Sequence, residues 1–371
     1  MIYFWLTWLF APLLRLRAGR PAGAPRAVLL VQTAKIGDFV CTTPLVRELR
    51  RGWPHAELHL LIDGINEPLA RHNPYAARVH LLPPGGLKGL SGRLWLWRLL
   101  RGCRIDGVVC ASPSLPHWLV PLWAGVPLRA SVVPNFGGGS YVRARRFLTH
   151  AEEHRAGRLL LETEFALLRR LGLAPGADAK EAWPAPGADG AAASLLGALA
   201  APRIGVGVSA GNKLKELGED KLVALARELL GRSAASVVLI GGPGDRELAR
   251  RVRERLAAEG HGGRVLDASG RLGLAELPAL LSRLDAYVGV DSGITYLADA
   301  VGVPVVDLMG PADADDQRPT GARAVVLRTD LPCAPCSHAF RAPYACAVGT
   351  RACVADASPQ ALAAHALGLL A

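Results

Sequence analysis

RAVLLVQTAKIGDFVCTTPLVRELRRGWPHAELHLLI, residues Arg26 to Ile62, is the stretch that decides the fold. Arg26 to Gln32 is a short run of leucine and β-branched residues that stops at a Lys-Ile-Gly-Asp turn, the pattern of a buried strand. Helical spacing follows from Thr42 to Arg51, and a second strand is expected from Ala56 to Ile62. Strand, loop, helix, strand is the opening of a doubly wound parallel sheet. A further strand is expected from Gly107 to Ala111. Between them Leu94 to Arg101 (LWLWRLLR) reads as a basic amphipathic helix, suited either to ordinary packing or to a second membrane-facing patch. Arg143 to Arg146 (RARR) adds positive charge to the same half.

The pattern restarts downstream. Ala, Gly and Pro dominate from Ala174 to Pro202, which marks a linker between domains. Arg203 to Val208 is then a strand, Ser209 to Lys215 a polar loop and Asp220 to Leu230 a helix. Strands at Ser236–Ile240, Arg264–Leu266, Ala286–Val290 and Val303–Leu308 are interleaved with helices at Asp245–Glu259 and Leu274–Arg283. The expected organisation is an apolar and basic segment (1–23), an α/β domain (24–175), a linker (176–202) and a second α/β domain (203–371).

Bulk properties agree with a two-domain globular protein, since the chain has 371 residues and half of them are apolar. The formal charge of +11, from 43 Lys+Arg against 32 Asp+Glu, favours anionic partners. Aromatics make up only 6% and no zinc-finger or base-stacking signature occurs, which argues against nucleic acid. Seven cysteines suit no disulfide framework, and Cys41, Cys103 and Cys110 lie in apolar segments, so a reduced, cytoplasmic setting is expected. The leader Ile2 to Leu14 (IYFWLTWLFAPLL) precedes its arginines Arg15, Arg17 and Arg20, the reverse of a secretory signal. It falls short of the ~20 residues of a spanning helix. Tyr3, Phe4, Trp5, Trp8 and Phe10 suit an interface, so the leader reads as an anchor on an anionic membrane surface. An uncleaved signal-anchor or a wrongly placed start codon is the alternative.

Several motifs carry chemistry. Asp291-Ser292-Gly293 ends a hydrophobic strand and runs straight into a helix, whose free N–H groups and dipole suit a diphosphate. A plain N-cap is the structural alternative. Lys213 and Lys215, in the loop after the first strand of the second half, offer a cation for a departing phosphate, or are simply solvated. Asp245, beyond Gly241-Gly242-Pro243, is placed to accept from a ribose hydroxyl or to cap its helix. In the first half Lys35, Gly37 and Asp38 form the turn after the first strand, where Asp38 can take a proton from an attacking hydroxyl or cap a helix. The loop is not GxGxxG, which disfavours a dinucleotide dehydrogenase. Asp313-Ala314-Asp315-Asp316 resembles a metal-binding DxD but reads as an exposed acidic loop. Cys333-x2-Cys336-x9-Cys346-x6-Cys353 has the look of a structural zinc site, with His338 as a competing ligand and free or transiently oxidised thiols as the alternative.

Together VLLVQTAKIGDFVCTTPLVRELRRGWPHAELHLLI (Val28–Ile62), VVLIGGPGDREL (Val237–Leu248), DAYVGVDSGITYLADAVGVPVVDLMGP (Asp285–Pro311) and LPCAPC (Leu331–Cys336) resemble glycosyltransferase family 9, the ADP-heptose:lipopolysaccharide heptosyltransferases. The resemblance implies a GT-B fold, two Rossmann-like doubly wound parallel-sheet domains facing across a cleft, with the acceptor domain first and the donor domain second. It implies inverting transfer of a heptose from ADP-heptose to a lipid-linked lipopolysaccharide core sugar, by an enzyme peripheral to the cytoplasmic face of the inner membrane and needing no cofactor for the chemical step. It casts Asp38 as general base, Ser209 and Lys215 as the donor-phosphate loop, Asp245 as the ribose contact, and Asp291, Ser292 and Gly293 as the diphosphate turn. Two departures stand out: Tyr296 occupies a position where the family carries histidine, and the NKLKELG loop lacks the Trp-Pro that follows the lysine. The rival readings are the same fold with another nucleotide-diphosphate sugar, for capsule, glycolipid or glycoprotein, and a non-catalytic sugar-nucleotide-binding protein.

Overall fold

A computed structural model describes residues 2–21 and 23–370, leaving out the side chain of Ile2; Met1, Ala22 and Ala371, which fall in the expected leader and at the end of the second domain, lie outside the described residues. The chain divides into two compact units, Met1–Asp178 and Ala179–Ala371. Each is built on one six-stranded sheet.

In the first unit the strands are β1 (Ala27–Gln32), β2 (Glu57–Ile62), β3 (Arg78–Leu81), β4 (Gly107–Cys110), β5 (Leu128–Val133) and β6 (His150–Glu153). They pair in parallel in the order β3-β2-β1-β4-β5-β6. The second unit repeats the arrangement with β7 (Arg203–Gly207), β8 (Ser236–Ile240), β9 (Val265–Asp267), β10 (Ala286–Val290), β11 (Val305–Leu308) and β12 (Ala324–Leu327). Their order is β12-β11-β10-β7-β8-β9, again all parallel. Both sheets therefore reverse direction of winding beside their first strand, between β1 and β4 and between β7 and β10. This is the Rossmann order, and ligands of such sheets sit at the carboxyl ends of the strands flanking that switch point. Central strands are buried along their whole length, which is why their sequences are unbroken apolar runs.

Two helices, α1 (Ile2–Leu9) and α2 (Ala11–Ala18), precede β1. They dock on the first unit through Phe4, Ala11, Leu14 and Ala18, which join its apolar core. Trp123 Nε1 also donates to Thr7 Oγ1 at 2.8 Å. The helix Leu90–Gly102 buries Leu96 and Leu100 in the same core and packs Trp95 and Trp97 partly buried against it, while Leu90 and Leu94 stay exposed. Within the stretch read as a linker, a helix at Ala188–Leu196 buries Ala188, Ala192 and Leu196, because alanine-rich sequence between glycines is a good helix former as well as a loop composition.

In the second unit Tyr287 is fully buried in mid-strand. Glycines make its room: a Cβ on Gly207 would collide with the Tyr287 hydroxyl, and one on Gly289 would come within 2.9 Å of it.

Candidate active site

In the first unit β1 ends at Gln32 and the chain turns into α3 (Ile36–Cys41) and α4 (Thr43–Gly52). Asp38 sits in the first turn of α3, where its Oδ2 accepts from Lys35 N at 3.2 Å. The loop is fixed from beneath. Gln32 Nε2 donates to Thr42 Oγ1 at 2.7 Å, Thr42 Oγ1 donates to the Asp38 carbonyl at 2.8 Å, and Asn66 Nδ2 donates to the Ala34 carbonyl at 2.8 Å. Across the switch point Thr33 and Ser112 hydroxyls meet at 3.0 Å. Asp38 is thus half-buried on a rigid turn at the carboxyl edge of the sheet.

Glu164, on the helix Leu160–Arg170, is a second carboxyl that the sequence reading missed. It is buried, and burial together with the nearby Asp38 charge pushes its pKa well above the carboxylate range. At 1% exposure Glu164 is sealed from solvent and out of reach of an acceptor hydroxyl. Its position on the helix face shared by Leu160, Thr163, Leu167 and Leu168 was the available signal.

The same edge holds His117, buried with its Nδ1 2.8 Å from the Ser112 carbonyl. Burial lowers its pKa to about 4. Between that value and the unfolded value the unfolded chain binds the extra proton, so stability rises with pH there. The contribution is complete above pH ~6.5 and about 3 kcal/mol is lost as pH falls to ~4. Asp307 and Glu164, whose pKa values are raised, act in the opposite sense. Urea unfolding of the native chain and His117→Asn at pH 7 and 4.5 isolates the effect; equal pH dependence in both would refute it.

In the second unit the loop after β7 and the turn after β10 meet. Lys215 and Asp291 form an ion pair, with only 16% and 10% of their side chains exposed. Lys213 instead pairs with Glu216 at 2.9 Å and is 83% exposed, so of the two lysines Lys215 is the one that reaches the turn. Tyr296 donates its hydroxyl to Asp291 Oδ1 at 2.7 Å. Ser292 is the N-cap of the helix Gly293–Ala300, accepting from Thr295 N at 3.4 Å. Asp245 Oδ2 accepts from Gly242 N at 2.7 Å, a local cap before the helix Arg246–Ala258. Ser209 lies half-buried at the end of β7.

Beneath this turn lies Asp307 of β11, in register with Gly289 and also missed. It is fully buried, and neither carboxyl oxygen has a hydrogen-bond partner among the described residues. Burial and the neighbouring Asp291 push its pKa well up, against Lys215. A lone acid in the apolar run VVDL was the visible clue. Farther along, Lys180 and Asp299 pair at 2.9 Å in the interior of the unit.

The acidic run differs from expectation. Asp316 is buried, and Asp313 and Asp316 approach His338 Nδ1 at 3.0 and 3.4 Å; only Asp315 faces outward, paired with Arg328. A partly buried imidazole held the two carboxylates in, which acidity along a sequence cannot reveal. The four C-terminal thiols are neighbours, since Cys333 and Cys346 raise Cys336 after burial has done so, and all three raise Cys353. Among the described residues, two ligand groups gather within 4.8 Å, Asp313–Asp316–His338 and His59–His80–Cys103, and the four thiols are not one of them.

The sequence profile of "Glycosyltransferase family 9 (heptosyltransferase)" matches residues 93–343, more than half of the chain. The chain belongs to glycosyltransferase family 9. This glycosyltransferase is 25% identical over 311 residues to lipopolysaccharide heptosyltransferase 2 of Salmonella typhimurium, covering 81% of this chain and 87% of that one. It is 24% identical over 296 residues to lipopolysaccharide heptosyltransferase 3 of Escherichia coli, covering 76% and 82%. Its structure superposes on that of a glycosyl transferase family 9 protein from Veillonella parvula with a TM-score of 0.77 at 20% identity, over 95% of this chain and 99% of the other. For the E. coli ADP-heptose lipopolysaccharide heptosyltransferase II the TM-score is 0.71 at 22% identity, over 93% and 98%. The family 9 fold is therefore of the GT-B class, with a Rossmann-like domain in each half.

Proposed function

We propose that this family 9 enzyme transfers a heptose from ADP-heptose to a sugar of a lipopolysaccharide core, with inversion. The observation that carries the reading is the Lys215–Asp291 pair at the switch point of the second sheet, beside the N-terminus of the helix Gly293–Ala300. Backbone N–H groups of that helix and the Lys215 ammonium suit the two phosphates of a nucleotide diphosphate. The names of the relatives support heptose as the sugar.

In the proposed reaction an acceptor hydroxyl at Asp38 gives its proton to the carboxylate. Its oxygen forms a bond to the anomeric carbon as the bond from that carbon to the phosphate oxygen breaks. The leaving diphosphate carries the electron pair away and is stabilised by Lys215 and by N–H groups at Ser292 and Gly293. Asp245 supports the ribose. Tyr296 acts through Asp291, orienting the carboxylate that holds Lys215. ADP release on mixing the protein with ADP-heptose and a deacylated core acceptor tests the reading, with UDP- and GDP-sugars as comparison donors. Turnover only with a UDP- or GDP-sugar removes ADP-heptose; binding without any turnover removes the enzyme assignment for this chain.

The site of action proposed is an anionic membrane surface, supported by the apolar and basic leader; no helix of the described residues is long and apolar enough to cross a membrane. A structural zinc on Cys333, Cys336, Cys346 and Cys353 is a separate proposal. It is supported by the Cys333-x2-Cys336-x9-Cys346-x6-Cys353 spacing and by the closeness of the four thiols to one another. Protein prepared without chelator should carry about one zinc per chain by elemental analysis. Metal-free protein whose unfolding is unchanged by added zinc would dismiss the site.

A further inference from the structure

Surface cations are distributed unevenly. On the helix Arg246–Ala258 of the second unit, Arg250, Arg251 and Arg255 all face carboxylates. Around α2 of the first unit the reverse holds. Among the described residues Arg15, Arg17, Arg20 and Arg146 have no carboxylate ion pair, and Arg15 Nη2 donates instead to the Arg146 carbonyl at 2.7 Å. Beneath them Arg129 of β5 is buried, donating Nε to the Phe147 carbonyl at 2.8 Å and Nη1 to the Val126 carbonyl at 2.5 Å. Its Nη2 makes no protein hydrogen bond among the described residues. Burial and the Arg15 charge lower Arg129 to about 10, so it stays cationic at neutral pH with no anion to match it.

These side chains line one open pocket of ≈ 600 Å³, formed by Arg15, Arg20, Arg129 and Arg146 with Leu16 and Leu148 on its walls. Leu16 on its wall and Leu13, one turn earlier on α2, carry an exposed apolar surface away from it, and α1 exposes further apolar side chains. Trp5, Trp8, Leu9 and Leu13 are all exposed, Leu9 and Leu13 each at 65% and Leu16 at 80%. This face is fixed rather than frayed, because the opposite face of the same helices is tied into the core by Phe4, Leu14 and Ala18. A rigid apolar ledge with two tryptophans, bordering a guanidinium-lined pocket, matches a lipid at both ends: acyl chains at the ledge and a phosphate among the arginines.

We infer that the pocket between α2 and the Arg145–Phe147 turn binds the phosphate of an anionic membrane lipid whose chains lie along the exposed face of α1 and α2. The inference rests on the membrane-surface reading above and adds to it a discrete phosphate site. A single apolar helix face holds a membrane only weakly, and a second, ionic signal makes the attachment stable. Fixing the first unit in this way would also set the edge that carries Asp38 at a constant height above the surface.

The test is co-sedimentation of the full chain with vesicles of phosphatidylcholine alone and of phosphatidylcholine with phosphatidylglycerol, at low and high salt. The native chain should prefer the phosphatidylglycerol vesicles by at least about tenfold, less so in high salt. The double variant Arg20→Glu, Arg146→Glu should lose that preference while keeping the weak binding to phosphatidylcholine and its melting temperature. Trp8→Ala with Leu9→Ala and Leu13→Ala should lose binding to both. An unchanged preference in the arginine variant overturns the pocket but leaves membrane attachment standing. No binding of the native chain to either vesicle overturns both. If glycerol phosphate alone then still binds by calorimetry, in an arginine-dependent way, the pocket serves a soluble phosphate ester rather than a lipid. A native dimer by light scattering that the apolar variant dissociates, without vesicle binding, assigns the ledge to a second copy and refutes the lipid.

Discussion

Asp38→Asn should lower kcat by about 10²- to 10⁴-fold while leaving ADP binding within twofold of the native chain. The two halves of that expectation come from different units. The carboxylate belongs to the first turn of α3 in the first unit, and the turn proposed to hold the diphosphate belongs to the second. Asparagine is the informative change because its side-chain oxygen can still accept from Lys35 N, as the carboxylate does at 3.2 Å. The turn is kept and only the basicity goes. Asp38→Ala removes both, and should add a stability loss of about 1 kcal/mol, typical of a lost helix cap. Rates from single-turnover assays, together with thermal melts of both variants, separate these effects. Full activity of Asp38→Asn would take the residue out of the proton transfer. Glu164 cannot substitute, because it is sealed from solvent.

Lys215→Met should lower kcat/KM by about 10²- to 10³-fold, the loss typical of a group that stabilises charge developing in a transition state. Methionine keeps the length and most of the volume of the side chain, so packing is retained. What changes is the balance around Asp291, which lies next to Asp307 and loses its cation. Removing one member of a largely buried pair leaves the other charge stranded, a cost of order 3–5 kcal/mol. The variant is therefore expected to melt earlier as well as to bind ADP more weakly. Lys213→Met, on an 83% exposed side chain paired with Glu216, is the control and should behave as native. Calorimetry with ADP and steady-state rates check both. If Lys213→Met were the damaging change, the donor loop would have been assigned to the wrong lysine.

How much of this could be read from the chain alone follows burial. β1, β2, β4, β8 and β10 lie inside their sheets, so their apolar runs announce them and their limits fall within about two residues of expectation. The edge strands β3 and β6 read RVHL and HAEE, and exposure removes the signal. β5 was missed for another reason: Arg129 and Ser131 interrupt its hydrophobic pattern although both are buried. The helix Leu115–Ala124 carries Pro121 inside it, which spacing rules treat as a break. At the site, the turns holding Asp38 and Asp291 were legible because strand-to-helix junctions are local in sequence. Which lysine meets Asp291, where Tyr296 donates and what lies under the turn are contacts between distant segments. No periodicity encodes them. Asp313 and Asp316 make the same point, since the histidine that draws them inward is more than twenty residues away.

The slot around Tyr287 bears on how related chains are to be compared. The hydroxyl occupies the space that a methyl on position 207 would need, so the two sites form one unit of inheritance. A descendant with alanine at 207 survives most readily if phenylalanine or a smaller residue has replaced Tyr287 first. An alignment that shows those two columns drifting independently would signal a shift in backbone register, not tolerance at either position.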